Sequence, residues 1–145
     1  MRVERFVESD LPQAPVDENS IVDCLQNLLN NAVKYAASGG WVGVRAEAVR
    51  HPGGVRVRIQ VEDRGPGIGP DDLPHIFDPF YRSQAIRNSQ IPGVGLGLSL
   101  VKRIVEAHRG TIEVKSSQSG TTFSIYLPAQ AATVPVESEM KEVAS

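Results

Sequence analysis

Three asparagines crowd into the stretch "CLQNLLNNAVKYA", Cys24 to Ala36, which otherwise carries the apolar spacing of a helix. Asparagine is a mediocre helix former, because its amide competes for backbone hydrogen bonds. Its repeated use here asks for another reason. Successive helical residues advance by roughly 100°. On that wheel Asn27, Asn31 and Lys34 share one stripe, within roughly 60° of each other. Tyr35 borders the stripe and Asn30 lies on its other edge. An amide oxygen suits a hard cation such as Mg²⁺, and an ammonium suits phosphate oxygens. A solvated polar face is the competing reading, although such faces usually draw on Glu, Lys and Gln.

Two glycine-rich loops offer further chemistry. "DRGPGIG" sets Asp63 at the end of a strand, followed by Gly65, Gly67 and Gly69. Glycine lets a backbone turn sharply and approach a ligand closely. An aspartate held there can accept a hydrogen bond from an exocyclic amine; an ordinary strand-to-loop turn is the alternative. "GVGLGL" places Gly93, Gly95 and Gly97 just before a helix. Its amides, with the helix N-terminus, can bind phosphate, and a hinge is the plainer reading. The motif matches neither the dinucleotide fingerprint nor the P-loop. "FDPFYR" sets Phe77 and Phe80 ahead of a polar, poorly patterned stretch, 83–92. This predicts both rings as an anchor on the core below a lid, with Arg82 riding near the ligand.

The elements that must position these groups can be read from periodicity. "VERFVE" predicts a short strand. A helix from about Asp17 or Asn19, either of which can cap it, runs to about Ala37. Its apolar stripe is Ile21, Val22, Leu25, Leu28, Leu29, Ala32, Val33 and Ala36, centred near Leu25, Leu28 and Ala32. "WVGVRAEAVR" and "VRVRIQVED" alternate about a Pro-Gly-Gly turn and predict an antiparallel hairpin, with its arginine-bearing face toward water. "DDLPHIF" holds room for one helical turn. The segment after "GVGLGL" becomes an amphipathic helix through Leu98, Val101, Ile104 and Val105, with Gly110 as its stop. "TIEVKSS" and "TTFSIYLP" predict two closing strands. The sum is α/β: one sheet with helices on one face.

Composition bounds the rest. A chain of 145 residues that is 41% hydrophobic suits a single domain with a real core. With net charge −2 and no basic block, it shows no nucleic-acid footprint and no polybasic membrane helix. The single cysteine, Cys24, excludes an internal disulfide and a cysteine-cluster metal site and reads as a small core or flank residue. A cytoplasmic setting is expected. Residues 1–128 are expected to form the domain and 129–145 a flexible C-terminal tail.

Taken in chain order, "NLLNNAVKY", "DRGPGI", "FDPFYR", "GVGLGL" and "GTTF" resemble the catalytic ATP-binding domain of bacterial sensor histidine kinases. That domain belongs to the GHKL superfamily, which includes DNA gyrase and the mismatch-repair ATPases. The resemblance spans roughly Val3 to Pro128. It implies the Bergerat fold, a two-layer α/β sandwich of about five mixed strands covered on one face by about three helices. It also implies roles. Asn31 is the Mg²⁺ ligand and Asn27 lies near phosphates and metal. Lys34 contacts phosphate, and Tyr35 packs by adenine or ribose. Asp63 takes the adenine amine, with Gly65, Gly67 and Ile68 passing close to the base. Gly93, Val94, Gly95, Leu96, Gly97 and Leu98 form the lid hinge and phosphate cradle. Thr121 or Thr122 reaches the adenine pocket, directly or through water. Asn30 sits at a variable position and receives no role.

One position separates classes within this superfamily. Members resembling gyrase carry a general-base glutamate four residues before the metal asparagine, where this chain has Asn27. An amide cannot take a proton from water at neutral pH, so the resemblance implies phosphoryl transfer rather than dedicated hydrolysis. No residue here is expected as acid, base or phosphoacceptor. His51, His75 and His108 are not followed by the family's Glu-x-Arg-Thr-Pro. The expected partner is an upstream dimerisation and histidine phosphotransfer domain of the same kinase, and indirectly a response regulator, with the parent kinase membrane-anchored or not. Neither nucleic acid nor direct membrane contact is expected. The alternatives are a nucleotide-sensing pseudokinase module and a serine kinase of the anti-sigma type. Arg109, where the family often has glycine, is expected to change only the helix exit.

Overall fold

A computed structural model describes residues 2–35, 39–81 and 97–129. The elements are β1 (Arg2–Val7), α1 (Glu18–Tyr35), β2 (Trp41–His51), β3 (Gly54–Asp63), a single 3-10 turn (Leu73–His75), α2 (Gly97–Ala107), β4 (Thr111–Ser117) and β5 (Gly120–Pro128). Arg82, Gly93, Val94, Gly95, Leu96 and residues 130–145 of the expected tail lie outside the described residues.

The strands form one five-stranded sheet in the order β1-β2-β3-β5-β4. β1 pairs parallel to β2, and the other pairs are antiparallel. A parallel pair needs a crossover, and α1 is that crossover. Period-two alternation then sorts the side chains. In register, Val44, Val61 and Phe123 share one face, as do Ala46, Ile59 and Ile125 in the next layer. This face meets the helices. The core joins Val42, Val61, Phe123, Ile125 and Leu127 of the sheet to Ile21, Cys24, Leu28 and Ala32 of α1 and Val101 and Val105 of α2.

The apolar stripe of α1 is narrower than its sequence suggests. Val22 and Val33 are 43% and 46% exposed, whereas Cys24 is fully buried. The buried set Ile21, Cys24, Leu28 and Ala32 spans roughly 80° of the wheel, the arc that sheet and α2 together can cover. Burial, with the Asp23 carboxylate beside it, pushes the Cys24 thiol up to about 11. It therefore packs as a small hydrophobe rather than a nucleophile.

No described helix covers the opposite face of the sheet, yet its arginines are not simply solvated. Arg58 and Glu47 face each other across β2 and β3 and form an ion pair at 2.6 Å, both half-buried. Arg56 lies over the Tyr126 ring at 4.6 Å and Arg45 over Phe6 at 4.9 Å. The rings shield the arginine stems and leave the face half-buried.

Both helices are fastened at their ends. Asp17 caps α1 by accepting from the Ser20 amide at 3.2 Å and from the Ser20 hydroxyl, and these bonds hold its carboxyl below the usual range. His108 follows α2 and bridges the two helices: its Nε2 accepts from the Asp17 amide at 3.0 Å while Nδ1 donates to the Ile104 carbonyl at 2.8 Å. The expected stop residue is displaced by one position. Arg109, not Gly110, takes the left-handed conformation, at φ 62°, and the Gly110 amide closes the turn onto the Val105 carbonyl at 2.9 Å. Gly110 is needed for space instead, since a Cβ there would fall 2.4 Å from the Tyr126 carbonyl. Arg109→Gly should therefore raise the unfolding free energy by about 0.5–1 kcal/mol, because an exposed L-residue leaves a strained αL site. A urea midpoint that stays level or falls would refute this.

Candidate functional site

The polar stripe of α1 begins under the N-terminus of α2. Asn27 donates through Nδ2 to the Asp23 carbonyl at 3.1 Å, which fixes the amide orientation and turns Oδ1 outward. A Cβ placed on Gly97, the first residue of α2, would lie 3.4 Å from that oxygen. The opening amides of α2 have no intrahelical acceptors and carry the positive end of its dipole. An amide group and a helix N-terminus thus meet where an anion would be favoured. Asn31 follows one turn along α1, half-buried, and Lys34 stands exposed near the helix end. Tyr35 closes the helix, and its side chain lies outside the described residues.

The chain beyond α1 meets the Asp63 loop. A Cβ on Gly39 would lie 2.3 Å from the Arg64 carbonyl, so the chain just beyond α1 passes directly against the residue after Asp63. Asp63 ends β3 with its Oδ1 fully used, accepting from the Gly65 amide at 3.0 Å and the Thr121 amide at 3.2 Å. Its Oδ2 has no partner among the described residues. Gly67 has φ 82°, and a Cβ there would fall 1.9 Å from the Ser117 carbonyl. Only glycine permits both that dihedral and that approach. The next residue, Ile68, is stitched down by its amide to Ser116 Oγ at 2.6 Å, with its side chain packed against the core.

Sequence alone left Thr121 and Thr122 open. Thr121 lies opposite Asp63 in register and is 5% exposed. Thr122 lies opposite Glu62, on the other face, and helps line a shallow cavity of about 230 Å³ whose wall also includes Asp63, Ser116 and Lys115. Only Thr121 shares the Asp63 face. Leu98 packs against the core.

The phenylalanine pair divides. Phe77 packs edge-on against Phe123, with ring centroids 6.3 Å apart, and Lys102 Nζ lies 5.6 Å from its centroid. Phe80 is not a core anchor: it is 70% exposed, at φ 65°. The tight turn in which the Tyr81 amide reaches back to the Asp78 carbonyl swings it outward, and the Tyr81 hydroxyl secures the turn on Asp72.

Ser116 was missed from sequence. Besides holding the Ile68 amide, its Oγ lies 3.0 Å from Thr121 Oγ1. The signal was available. A two-residue turn pairs Ser117 with Gly120, and counting outward pairs Ser116 with Thr121.

Among the described residues, no group of three or more His, Cys, Asp or Glu could hold a metal. The hard oxygen donors on the α1 stripe are the Asn27 and Asn31 amides, which suit Mg²⁺ when phosphate and water complete the shell. Among the described residues, no helix is long and apolar enough to cross a membrane.

A polar helix stripe, a helix N-terminus and a strand-end aspartate thus lie about one mixed sheet. The model for histidine kinase-, DNA gyrase B-, and HSP90-like ATPases matches residues 16–131, and this chain belongs to that family. Its relatives include the sensor histidine kinase CusS of Escherichia coli, 42% identical over 125 residues, covering 86% of this chain and 25% of CusS. The sensor-like histidine kinase SenX3 of Mycobacterium tuberculosis is 39% identical over 114 residues, 78% of this chain and 27% of SenX3. The chain thus spans about a quarter of the length of these relatives. Among solved structures, the mycobacterial sensor histidine kinase MprB matches with a TM-score of 0.71 at 31% identity, over 88% of this chain and 83% of that one. Full-length ShkA in complex with AMPPNP matches with a TM-score of 0.71 at 34% identity, over 93% of this chain and 27% of that one.

Proposed function

We propose that this chain binds Mg²⁺-ATP and passes the γ-phosphoryl group to a histidine on a separate dimerisation domain, as the catalytic part of a sensor histidine kinase serving a response regulator. The observation that carries this reading is the meeting of Asn27 with the α2 N-terminus, 3.4 Å from the position of a Gly97 Cβ. It offers phosphate a positive, amide-lined seat, with an amide at the position where gyrase-like members carry the general-base glutamate. Asn31 would hold the metal, which when bound neutralises charge developing on the phosphates. Lys34 adds a mobile positive charge at the rim. Asp63 Oδ2 would accept from the adenine amine and so set the depth of the nucleotide. The acceptor imidazole attacks phosphorus as the bond to the ADP oxygen breaks, so this chain contributes position and charge complementarity rather than a proton shuttle. The AMPPNP complex of ShkA supports a nucleotide in this fold.

The test is transfer from radiolabelled ATP to a histidine-bearing dimerisation domain supplied in trans. Label should appear on that domain, be lost in acid and survive base. Asn31→Ala should cut transfer by more than about tenfold, since even outer-shell partners of metal ligands cost that much. Tight nucleotide binding without transfer would favour a sensing module instead. Acid-stable label would point to a serine kinase.

A further inference from the structure

The helix-bearing face of the sheet is open along its β1 edge, where all six residues are exposed. In register with Val42, Val44 and Ala46, the side chains of Val3, Arg5 and Val7 point to that face. Val3 and Val7 are 59% and 56% exposed there. The exposed part of the α1 stripe turns toward the same edge. Cys24 Sγ lies 3.9 Å from the Val101 carbonyl, and Asn27 meets Gly97, so α2 holds one flank of α1. Val22, Leu29 and Val33 lie at least about 120° around the helix from Asn27 and Asn31, on the other flank. Because α1 contacts β2 and β3 while α2 contacts β4, that other flank faces β1. The result is an apolar groove with β1 as its floor and α1 as its wall. The backbone adds to it. The Arg2 amide donates to the Gly40 carbonyl at 2.8 Å and the Glu8 amide to the Ala46 carbonyl at 2.9 Å. A parallel ladder uses alternate residues of each strand, so the N–H and C=O groups of Val3, Arg5 and Val7 point out of the sheet. These groups have no partner among the described residues, and Arg5 forms no ion pair among them.

We infer that this edge docks an extended peptide segment of a partner protein, which adds to the sheet as a sixth strand and sets a carboxylate opposite Arg5 between two apolar side chains. The three residues that floor the groove are also those with free backbone groups, so one strand can satisfy both at once: its main chain pairs with β1 while every second side chain enters the groove. The charge selects the occupant. A bare apolar edge invites indiscriminate pairing, and a charge in its middle is the usual guard. Arg5 guards against a second copy of this chain, because antiparallel pairing of β1 with β1 about its centre sets Arg5 against Arg5 or Glu4 against Glu4. The same guanidinium favours a strand with an acidic residue at that position. The flanking Val3 and Val7 ask for apolar partners two residues to either side. The pattern is symmetric, so it fits a strand of either direction. The inference is independent of the nucleotide reading, since the groove lies on the flank of α1 away from Asn27 and Asn31.

The test titrates this chain with an end-blocked peptide, Thr-Val-Thr-Glu-Thr-Val-Thr, and follows amide hydrogen exchange by NMR. At saturation the Arg5 amide and its neighbours at Val3 and Val7 should exchange at least about fivefold more slowly, because the new strand supplies their missing acceptors. Glu4 and Phe6, which already face β2, should change less. Lysine in place of the peptide glutamate should weaken binding at least about fivefold, since an opposite-charge pair becomes a like-charge pair. Arg5→Glu should invert the preference between the two peptides. Val22→Asp, on the α1 wall, should weaken both peptides, which pairing with a bare edge away from α1 would not do; an aspartate early in a helix leaves the fold intact. No slowing with the glutamate peptide at up to about 5 mM, or a preference that Arg5→Glu leaves uninverted, overturns the inference. So does either of two other occupants. Amides already slow in the free chain that quicken when residues 130–145 are removed would assign the groove to that segment. Slowing that grows with protein concentration alone would assign it to a second copy.

Discussion

Asp63→Asn should weaken the binding of an adenine nucleotide by about ten- to a hundredfold, with little change in stability, because the substitution sets two requirements against each other. Asp63 Oδ1 already accepts two backbone amides, from Gly65 and Thr121, at 3.0 and 3.2 Å. Asparagine has a single side-chain oxygen. To keep those two bonds it must turn the oxygen toward the amides and so present its NH₂ to the base, where an amine donor also points. Donor then faces donor. The opposite rotamer offers the base an acceptor but leaves two backbone donors facing an NH₂, at a cost of one to a few kcal/mol in a half-buried site. Two bonds outweigh one, so the first orientation should prevail and the loss should fall on binding. A hydrogen bond to a charged group is worth about 1.5–3 kcal/mol, and every 1.4 kcal/mol is about tenfold in affinity, which gives the stated range. The measurement is calorimetry with a non-hydrolysable ATP analogue, beside a thermal melt. Unchanged affinity would show that Asp63 does not read the base. A large fall in the melt, with affinity kept, would mean that the second rotamer prevails.

The parts that sequence made legible are those in which one residue type answers one local demand. Alternation placed β2 and β3 to within a residue or two, because a half-buried strand imposes period two on its own side chains. The wheel placed Asn27 and Asn31 on one stripe, because helix geometry leaves no choice. Asp63 stood out as a carboxylate between an apolar strand and three glycines. What stayed hidden depended on neighbours distant in the chain. Val22 and Val33 have the right spacing for the core, but how much of α1 is covered depends on where α2 and the sheet lie. Phe80 is as apolar as Phe77, and only the turn after Asp78 sends one ring inward and the other out. Gly110 looked like the helix stop, but the Tyr126 carbonyl on β5 claims it for space, and the left-handed position falls to Arg109. Ser116 reads as an unremarkable strand serine until the β4–β5 register brings it to Thr121.

The same distinction makes Leu28→Ala the substitution with the largest expected effect on stability, a loss of about 2–5 kcal/mol in unfolding free energy. Leu28 is 1% exposed and belongs to the cluster that includes Val61, Phe123 and Val101. Truncation removes three carbons and leaves a void that can close only if the sheet and both helices move together. Alanine returns little through helix propensity, because leucine is already a good former. A domain of this size has about 5–15 kcal/mol in total, so the variant should stay folded at room temperature with a much lower urea midpoint. Val22→Ala on the same helix is the control. At 43% exposure its side chain loses little contact, and alanine's better helix propensity offsets that loss, so the change should stay within about 0.5 kcal/mol of zero. Equal costs at the two positions would mean that the buried arc is centred elsewhere on α1. Because the Leu28 stripe adjoins the one that carries Asn27 and Asn31, nucleotide affinity in Leu28→Ala should fall only in proportion to the unfolded fraction. A larger fall, measured where the protein is fully folded, would show that the core sets the angle at which α1 presents its asparagines.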